Sequence, residues 1–387
     1  MVDYRLVKPV YDETFSSWVN RCLLARLSAK VTGLSVKSEF SREDSEYKFE
    51  DPDFDANSDY VKGSIIIVGA YRSYSFRFFE KEQRLVLPWE WRVNYCPECL
   101  RADVVAGRLP AWRKSWCYVM SVHCLSHNRQ LSSLNGALSV NKAWDAFVYE
   151  ARSEIFTTEN YASAWMSNES ERIRISLVRK VVAWYLGSGE RNKISNEIDE
   201  NLRHCFDVVL QMLLAAPTYA LKPGAAWSLF FLGKPRFDRP KKGFAWALEE
   251  GMFRAGVHVR MSAVILAGMV FSIFSDVEVK FIDRLLKIAS GVCRLNSYKI
   301  GSECFLLSNR EDYLYVRAKF SGVSCSALER ICEFVQGVED SYQKSCEGNK
   351  KDRLWGRAKD SWRRWAYDPC NEPDPQSVIL GLRYYKI

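Results

Sequence analysis

The segment from residue 94 to residue 131 concentrates the side chains that bind metal ions most readily. It contains four cysteines and two of the four histidines of the 387-residue chain. Cys96 and Cys99 form a C-x2-C pair, and Cys124 and His127 form a C-x2-H pair. Two such pairs can close a tetrahedral Cys3His shell, the ordinary arrangement of structural zinc. We therefore predict one zinc ion held by Cys96, Cys99, Cys124 and His127.

Two further residues of this segment, Cys117 and His123, are rival ligands. Cys117 precedes Cys124 by seven residues, which is unfavourable spacing for a metal-binding pair, so both rivals rank below the four ligands. Catalytic zinc usually keeps one coordination position open, whereas four good ligands are available here. The H-x-E that precedes the cysteine pair in zinc deaminases is also missing. We predict a closed structural site rather than a catalytic one.

The chain between the two pairs contains Trp112-Arg-Lys-Ser-Trp116, which mixes aromatic and basic side chains. Such a mixture can stack on nucleobases and pair with phosphates. The alternative is that the tryptophans fill a small core, and we favour it for Trp116. Arg113 and Lys114 remain candidate contacts to nucleic acid or to a partner. The segment 350–365 mixes seven bases with three tryptophans and adds the candidates Lys350, Lys351, Arg353, Arg357, Arg363 and Arg364.

The formal net charge of +8 is spread unevenly along the chain. Residues 41–60 carry eight acids and two bases, and we expect them to form an acidic surface loop. The remaining residues therefore carry the whole basic excess. Such an excess favours nucleic acid or a ribonucleoprotein as partner, and the alternative is an ordinary solvated surface.

The spacing of apolar residues predicts a mainly α protein. Asp12–Leu27 reads as an amphipathic helix, with Asp12 as its N-cap and Cys22 on its apolar face. Residues 65–68 could be a buried strand or part of a helix. Segment 217–240, with four prolines and two glycines, is predicted to be a loop-rich connection. Further helices are predicted at 143–149, 172–186, 202–216, 244–254, 261–275, 278–290 and 326–336.

Phe281–Lys299 could hold a helix-turn-helix, with Gly291 near its turn. The longest apolar run, Met261–Phe274, has 14 residues, whereas a membrane span needs about 20, so we expect a buried core helix. The first ten residues lack the apolar core of a signal peptide, which predicts a cytoplasmic protein with reduced thiols. The sequence contains no GxxxxGK[ST], GxGxxG, GxSxG or HExxH motif, and we predict that it is not an enzyme.

Two stretches of the chain resemble the TniQ family, the target-selection subunits of bacterial transposition systems. The first is PVYDETFSSWVNR, residues 9–21, which matches a family opening of a proline, an acidic pair and Ser-x-x-x-R at Asp12, Glu13, Ser17 and Arg21. The second matches the family finger, CPxCL, a tryptophan, CxxH and a leucine. Its residues here are Cys96, Pro97, Cys99, Leu100, Trp116, Cys124, His127 and Leu131. The rest of the chain is only compatible with the family.

The resemblance implies an N-terminal helix-turn-helix-like domain at 1–90, which includes the acidic loop 41–60. A zinc-finger module at 91–135 and a helical C-terminal domain of the TniQ type at 136–387 would follow, the latter with the second helix-turn-helix. Several family members carry another cysteine cluster just after the finger. No cysteine lies between Cys124 and Cys205 here, so we expect a single zinc ion.

The resemblance also implies a function without catalysis. Family members link a targeting device to the AAA+ ATPase regulator of the transposon, which recruits the transposase. Relatives near this length dock as homodimers on a CRISPR Cascade complex, whose guide RNA selects the target DNA. Two alternatives remain: a DNA-binding protein that recognises an attachment site by itself, and a zinc enzyme acting on nucleic acid.

Overall fold

The computed structural model describes residues 6–29, 51–68, 78–79, 84–134, 139, 141–156, 168–187, 200–219, 222–229, 240–290, 294–303, 307 and 310–346. Within these residues helices dominate, and the strands have two residues each. The predicted mainly α class is confirmed. The chain divides into two compact units, Met1–Ile175 and Ser176–Ile387. The segments 1–90 and 91–135, predicted as separate domains, therefore lie in the same unit.

The first unit combines helices with two short antiparallel ladders. Strand β1 pairs with β4, with Asn94 opposite Ser133, and β2 pairs with β3, with Cys124 opposite Arg129. The four strands are β1 (Asn94–Tyr95), β2 (His123–Cys124), β3 (Arg129–Gln130) and β4 (Ser132–Ser133). The helices are α1 (Phe15–Ala29), α2 (Asp59–Val68), α3 (Pro97–Val105) and α4 (Lys142–Phe156). Residues 65–68 are therefore helical.

Helix α1 begins later than predicted, and the prediction that Asp12 caps it is wrong. Thr14 precedes the helix, and its hydroxyl accepts a hydrogen bond from the Ser17 N–H at 3.4 Å, which is the N-cap arrangement. Asp12 has a positive φ of 60°, and its carboxylate accepts from the Ser115 N–H at 3.0 Å. The Asp12 carboxylate is thus hydrogen-bonded to the segment between the C-x2-C and C-x2-H pairs and not to the first turn of α1. Cys22 lies in the apolar core of this unit, as predicted.

A buried polar network fastens α1 to that same segment. Arg21 donates to Glu13 Oε2 at 2.6 Å, and the Ser17 hydroxyl donates to Glu13 Oε1 at 2.9 Å. The Trp112 N–H donates to Ser17 Oγ at 2.9 Å, and the Thr14 N–H donates to the Trp112 carbonyl at 2.9 Å. Burial raises the pKa of Glu13, against the charge of Arg21, which acts to lower it. The ion pair is enclosed, since both side chains are almost completely buried.

The described part of the acidic segment 41–60 is only partly a surface loop: Asp55 and Asn57 are exposed, whereas Asp53 is buried and Asp51 is partly buried. Asp51 and Asp53 pair with the guanidinium of Arg92, a side chain with no exposed surface. Arg92 also donates to the Leu87 carbonyl at 2.7 Å. Burial acts to raise the pKa of Asp51, but the hydrogen bond and charge of Arg92 outweigh it and hold this pKa below its ordinary value. Residues 41–50 lie outside the described residues.

The described residues of the second unit form helices joined by turns and loops, without a strand, and α5 begins before the division at residue 175. The helices are α5 (Asn168–Tyr185), α6 (Glu200–Leu214), α7 (Ala225–Leu229), α8 (Phe244–Arg254), α9 (Val257–Val270), α10 (Asp276–Ser290), α11 (Ser297–Glu303), α12 (Arg310–Lys319), α13 (Cys325–Glu329) and α14 (Cys332–Cys346). Six of the seven further helices predicted from the sequence correspond to α4–α6 and α8–α10. Almost every residue of α9 is buried, which confirms a core helix in the apolar run.

The prediction of a single helix at 326–336 is wrong. Two helices, α13 and α14, replace it, because the chain turns at residues 330–331. The connection predicted at 217–240 contains the short helix α7, and its residues 230–239 lie outside the described residues. In the predicted helix-turn-helix, α10 and α11 occupy the two helical positions, and Gly291 lies outside the described residues.

Helices α11 and α14 approach each other through glycine. A Cβ atom added at Gly301 would lie 2.1 Å from the Phe334 carbonyl oxygen, and one added at Gly337 would lie 2.1 Å from the Tyr298 carbonyl oxygen. Neither position can accept a larger residue without a backbone shift. One side of α11 therefore packs directly on α14.

No single described helix is long and apolar enough to cross a membrane. Among the described helices, one pair, α8 and α9, reaches the required length and composition when taken together, and these two helices are bent by 108° with respect to each other.

The Glu13–Arg21 pair predicts a large effect of substitution. In the variant Arg21→Met, Glu13 keeps a buried carboxylate without its cation, and we expect a loss of about 3–5 kcal/mol in unfolding free energy. Chemical denaturation of the purified protein measures this loss. The matched control is Lys62→Met, which removes the exposed pair with Asp59 and should change stability by less than about 1 kcal/mol. Equal effects of the two substitutions would contradict the burial argument.

Candidate metal centre

The two predicted ligand pairs lie on different local structures. Cys96 directly follows β1 and precedes α3, whose first residue is Pro97, and Cys99 lies in the first turn of this helix. The second pair lies on the β2–β3 hairpin, where Asn128 takes a positive φ of 48° and its N–H donates to the Cys124 carbonyl at 2.9 Å. Because β4 follows β3 and pairs with β1, the ladder brings the two pairs together.

Four potential ligand atoms meet at this point. The Sγ atoms of Cys96, Cys99 and Cys124 and the Nδ1 atom of His127 all lie within 4.8 Å of one another. The His127 Nδ1 lies 3.3 Å from Cys99 Sγ and 3.6 Å from Cys124 Sγ, and the two sulfurs are 3.6 Å apart. Ordinary zinc bond lengths give tetrahedral edges of about 3.5–3.8 Å. The cluster can therefore hold a metal ion, and its dimensions are compatible with zinc.

Proximity controls the protonation of the three thiols. The hydrogen bond with Cys124 raises the pKa of Cys96 to about 11, and it also raises the pKa of Cys99. Hydrogen bonds from Cys96 and Cys99 lower the pKa of Cys124. One thiolate flanked by two thiols is the protonation state that this geometry favours near neutral pH without a cation. A metal ion requires all three as thiolates and must displace the remaining protons.

Glu98 lies between Cys96 and Cys99 and connects the two pairs by charge. Its carboxylate accepts from Arg101, on the same helix, at 2.9 Å and from Arg129, on β3, at 3.1 Å. All three side chains are partly exposed, so these ion pairs contribute little free energy. Glu98 thus contacts both the helix and the hairpin through ion pairs and is not one of the clustered ligands.

The two rival ligands do not join the cluster. The Cys117 thiol donates to the Arg113 carbonyl oxygen at 3.5 Å, and burial raises the pKa of this thiol to about 12. His123 is buried on β2 and is likewise not among the four clustered residues. The described cluster thus contains the four predicted ligands and neither rival.

The tryptophan-rich segment between the pairs is largely internal. Trp116 is 2% exposed, which confirms its assignment to the core. Arg113 forms two hydrogen bonds to the Asp103 carboxylate, at 2.8 and 2.9 Å, and Lys114 is 6% exposed. The contacts predicted for Arg113 and Lys114 with nucleic acid or a partner stay predictions. The guanidinium of Arg113 already forms an ion pair with Asp103. The candidates at positions 350, 351, 353, 357, 363 and 364 lie outside the described residues.

One buried cation next to this segment was missed by the sequence analysis. Lys142, at the start of α4, is fully buried, and its Nζ lies 3.6 Å from the ring centre of Trp89 and 4.9 Å from that of Trp112. Burial lowers the pKa of its amine to about 8. No described atom is hydrogen-bonded to this Nζ. Nothing in the sequence around Lys142 indicates that its side chain is buried, because lysine at the start of a helix is usually exposed.

The cluster predicts selective loss of metal on substitution. The purified chain should bind about one zinc ion, and Cys124→Ala should remove it because three ligands cannot close the shell. Cys117→Ala, the matched control, also removes a buried thiol but should retain the ion. Metal analysis after dialysis measures both variants, and loss of the ion from both would contradict the assignment.

The thiol pKa values predict the proton balance of metal binding. Since the pKa values of Cys96 and Cys99 are raised, both protons should leave when zinc enters, giving a release of about two protons per zinc near pH 7. Affinity should therefore fall as the pH falls, because protons then compete more strongly for the same sulfurs. Titration of the metal-free protein in a weak buffer measures the release. A release of three protons would show that none of the three sulfurs is a stabilised thiolate in the metal-free protein.

The arrangement supplies four protein ligands and so has the composition of a closed structural shell. Such a shell cross-links the chain and leaves no coordination position for a substrate or a reactive water. Comparisons with protein-family models, with curated proteins and with solved structures return no match to this chain.

Proposed function

We propose that this protein is a non-catalytic adaptor for target-site selection in transposition, similar to members of the TniQ family. In this proposal the chain links a guide-RNA CRISPR Cascade complex to the AAA+ ATPase and transposase of a transposon. It acts as a homodimer in the bacterial cytoplasm, and its contact with target DNA is made mainly through the complex. One zinc ion at the four-ligand cluster completes the zinc-finger module.

The observation that carries this proposal is the contact between the two stretches that resemble the family. Ser17 and Thr14 are hydrogen-bonded to Trp112, and Asp12 is hydrogen-bonded to Ser115. About a hundred residues of sequence separate the partners in each case. The two matching stretches are thus parts of one packed unit, as a shared family motif would require, and this supports the resemblance.

The zinc-binding residues support a structural role in this proposal. When bound, zinc supplies a cross-link between α3 and the β2–β3 hairpin. Cys96 and Cys99 hold the helical side of the cross-link, and Cys124 and His127 hold the hairpin side. The segment between them then presents the backbone N–H of Trp112 to Ser17 on α1 and that of Ser115 to Asp12, before the helix.

The second candidate is a protein that recognises an attachment site in DNA directly. It is favoured by the two helices, α10 and α11, at the positions predicted for a helix-turn-helix. Against it, α11 has seven residues and packs closely on α14 at Gly301 and Gly337, which restricts the surface that it could present to a DNA groove.

The proposal predicts association with Cascade. Tagged full-length protein, mixed with guide-loaded Cascade and the ATPase encoded in the same genome, should retain both partners at low ionic strength. Protein with Cys124→Ala should retain less Cascade because the unit holding α1 loosens, whereas Cys117→Ala should bind like the unsubstituted chain. Absence of Cascade from the retained fraction at low salt would refute the adaptor proposal.

Footprinting separates the two candidate functions. An adaptor should protect a target only when the guide-loaded complex is present, and the protected sequence should follow the guide. Protection of one fixed sequence by the purified chain alone would instead support direct recognition of an attachment site.

A further inference from the structure

Lys142, the first residue of α4, places a basic side chain in the interior of the first unit. It is 1% exposed, and its Nζ faces the indole rings of Trp89 and Trp112. No ion pair or hydrogen bond joins this Nζ to any residue that the structure describes. Aromatic faces attract a cation, but they replace only part of the hydration that an ammonium group loses on burial. Relative to water, the site therefore favours the neutral amine.

The carboxylates closest to Lys142 are engaged by another cation. The titratable groups that face this amine are Asp51, Asp53, Arg92 and Cys117. Asp51 and Asp53 both pair with Arg92, so they attract Lys142 without direct contact, while Arg92 repels it. Burial raises the pKa of the Cys117 thiol to about 12, and this group is therefore uncharged near neutral pH. Lys142 thus lacks a contact ion pair of its own.

This environment links folding to protonation over a defined pH range. Burial lowers the pKa of the Lys142 amine to about 8, although Asp53, Cys117 and Asp51 act to raise it. The same amine in an unfolded chain has a pKa of about 10.4. Between these two values the unfolded chain binds more protons than the folded one, so the free energy of unfolding rises with pH. Below about pH 7 the amine is charged in both states, and the full cost of burying its charge is present.

Lys142 lies at one end of α4, where a loss of contact can stay local. Its backbone N–H donates to the Ser139 carbonyl at 3.1 Å, a bond within the same stretch of chain. Two turns further on, Glu150 accepts from the Tyr95 hydroxyl at 2.8 Å and holds α4 at a second point. Helix ends open at a lower cost in free energy than helix centres. The start of α4 can therefore separate from the tryptophans while Glu150 keeps its contact.

We propose that Lys142 is a proton-controlled anchor of α4. When the amine is neutral, the first turn of α4 stays against Trp89 and Trp112. When the amine binds a proton, hydration of the ammonium group favours separation of this turn from the two rings, and the contact loosens. The device goes beyond the adaptor role, which assigns no proton-linked change to the chain.

The anchor acts on a residue that also holds α1. The Trp112 N–H donates to Ser17 Oγ, and the Trp112 carbonyl accepts from the Thr14 N–H, each at 2.9 Å. The ring of the same tryptophan faces Lys142. A change of charge at Lys142 therefore reaches the point where α1 is joined to the segment between the two ligand pairs.

The first test compares the pH dependence of stability in Lys142→Met with that of the unsubstituted full chain. Methionine is a flexible apolar side chain that needs no counter-ion, so the variant should be the more stable protein near neutral pH. Between about pH 7.5 and 10.5 this advantage should shrink by roughly 10- to 100-fold in the unfolding equilibrium constant, and by at most about tenfold per pH unit. Denaturant unfolding at each pH measures it. Parallel pH profiles of the two proteins would overturn the proposal.

Two further variants separate burial from net charge. Lys62→Met removes the same charge from an exposed position, and its difference from the unsubstituted chain should stay within about threefold over this pH range. Lys142→Arg keeps a charge that does not titrate below about pH 12, so its difference from Lys142→Met should not change with pH. A pH-dependent difference for Lys62→Met as large as that for Lys142→Met would overturn the proposal, because the effect would then not require burial.

A direct titration needs no variant. In the unsubstituted chain labelled with ¹³C at the lysine Cε atoms, one resonance should titrate near pH 8, well below those of the exposed lysines. Midpoints near pH 10.4 for every lysine would overturn the proposal.

Hydrogen exchange locates the change along α4. Near pH 7 the Asp145 amide, which donates to the Asn141 carbonyl at 3.0 Å, should exchange at least about threefold faster in the unsubstituted chain than in Lys142→Met. The Arg152 amide, nearer the other end of the helix, should exchange equally in both proteins. Unchanged rates at both amides would overturn the proposal, and so would equal acceleration of both, because loosening would then not be confined to the start of α4. Neither outcome bears on the association with Cascade, which is measured separately.

Discussion

The convergence of four ligand atoms is the constraint on which the first unit depends. Residues 94–134 contain strands of only two residues and one helix of nine residues, and elements of this length do not hold together by themselves. A cation shared by Cys96, Cys99, Cys124 and His127 would join the helical and hairpin halves of the segment. Helix α1 is hydrogen-bonded to the chain between these halves. Closure of the cluster would therefore fix the segment to which α1 is bonded, while the apolar core around Phe15 and Trp18 holds the helix from its other side.

Buried ion pairs specify how the other parts of this unit attach. Arg21 is paired with Glu13 and Arg92 with Asp53, all four side chains being buried, and Arg92 is also paired with the partly exposed Asp51. Such pairs add little net stability relative to apolar packing, but leaving one partner alone is costly. An alternative packing that separates the partners would leave a buried charge unpaired, and the ion pairs therefore disfavour it. In this unit they determine which segments meet, while apolar contacts around Trp18 and Phe15 supply the burial.

Local features of the sequence were predictable, and long-range ones were not. The spacing of two short ligand pairs identified the metal cluster, and apolar periodicity located most helices to within a few residues. The periodicity continued across residues 330–331, so it could not reveal that the short helix capped by Ser324 ends there and that α14 begins at Cys332. Asp12 has the composition of an N-cap, yet its carboxylate bonds to Ser115, more than a hundred residues away. The ion pairs of Arg92 with Asp51 and Asp53 likewise join residues about forty positions apart, so no local sequence pattern predicts them.

The position of Lys142 gives the first unit an internal optical reporter. Its ammonium group faces the indole rings of Trp89 and Trp112, and Trp112 in turn contacts Trp116 edge to face at 5.5 Å. A charge held against an indole changes the energy of its excited state, and the pKa of this amine, about 8, lies close to neutrality. The emission of these three of the 13 tryptophans should therefore follow the charge on a single lysine, and their share of the fluorescence of the unlabelled protein should change with it.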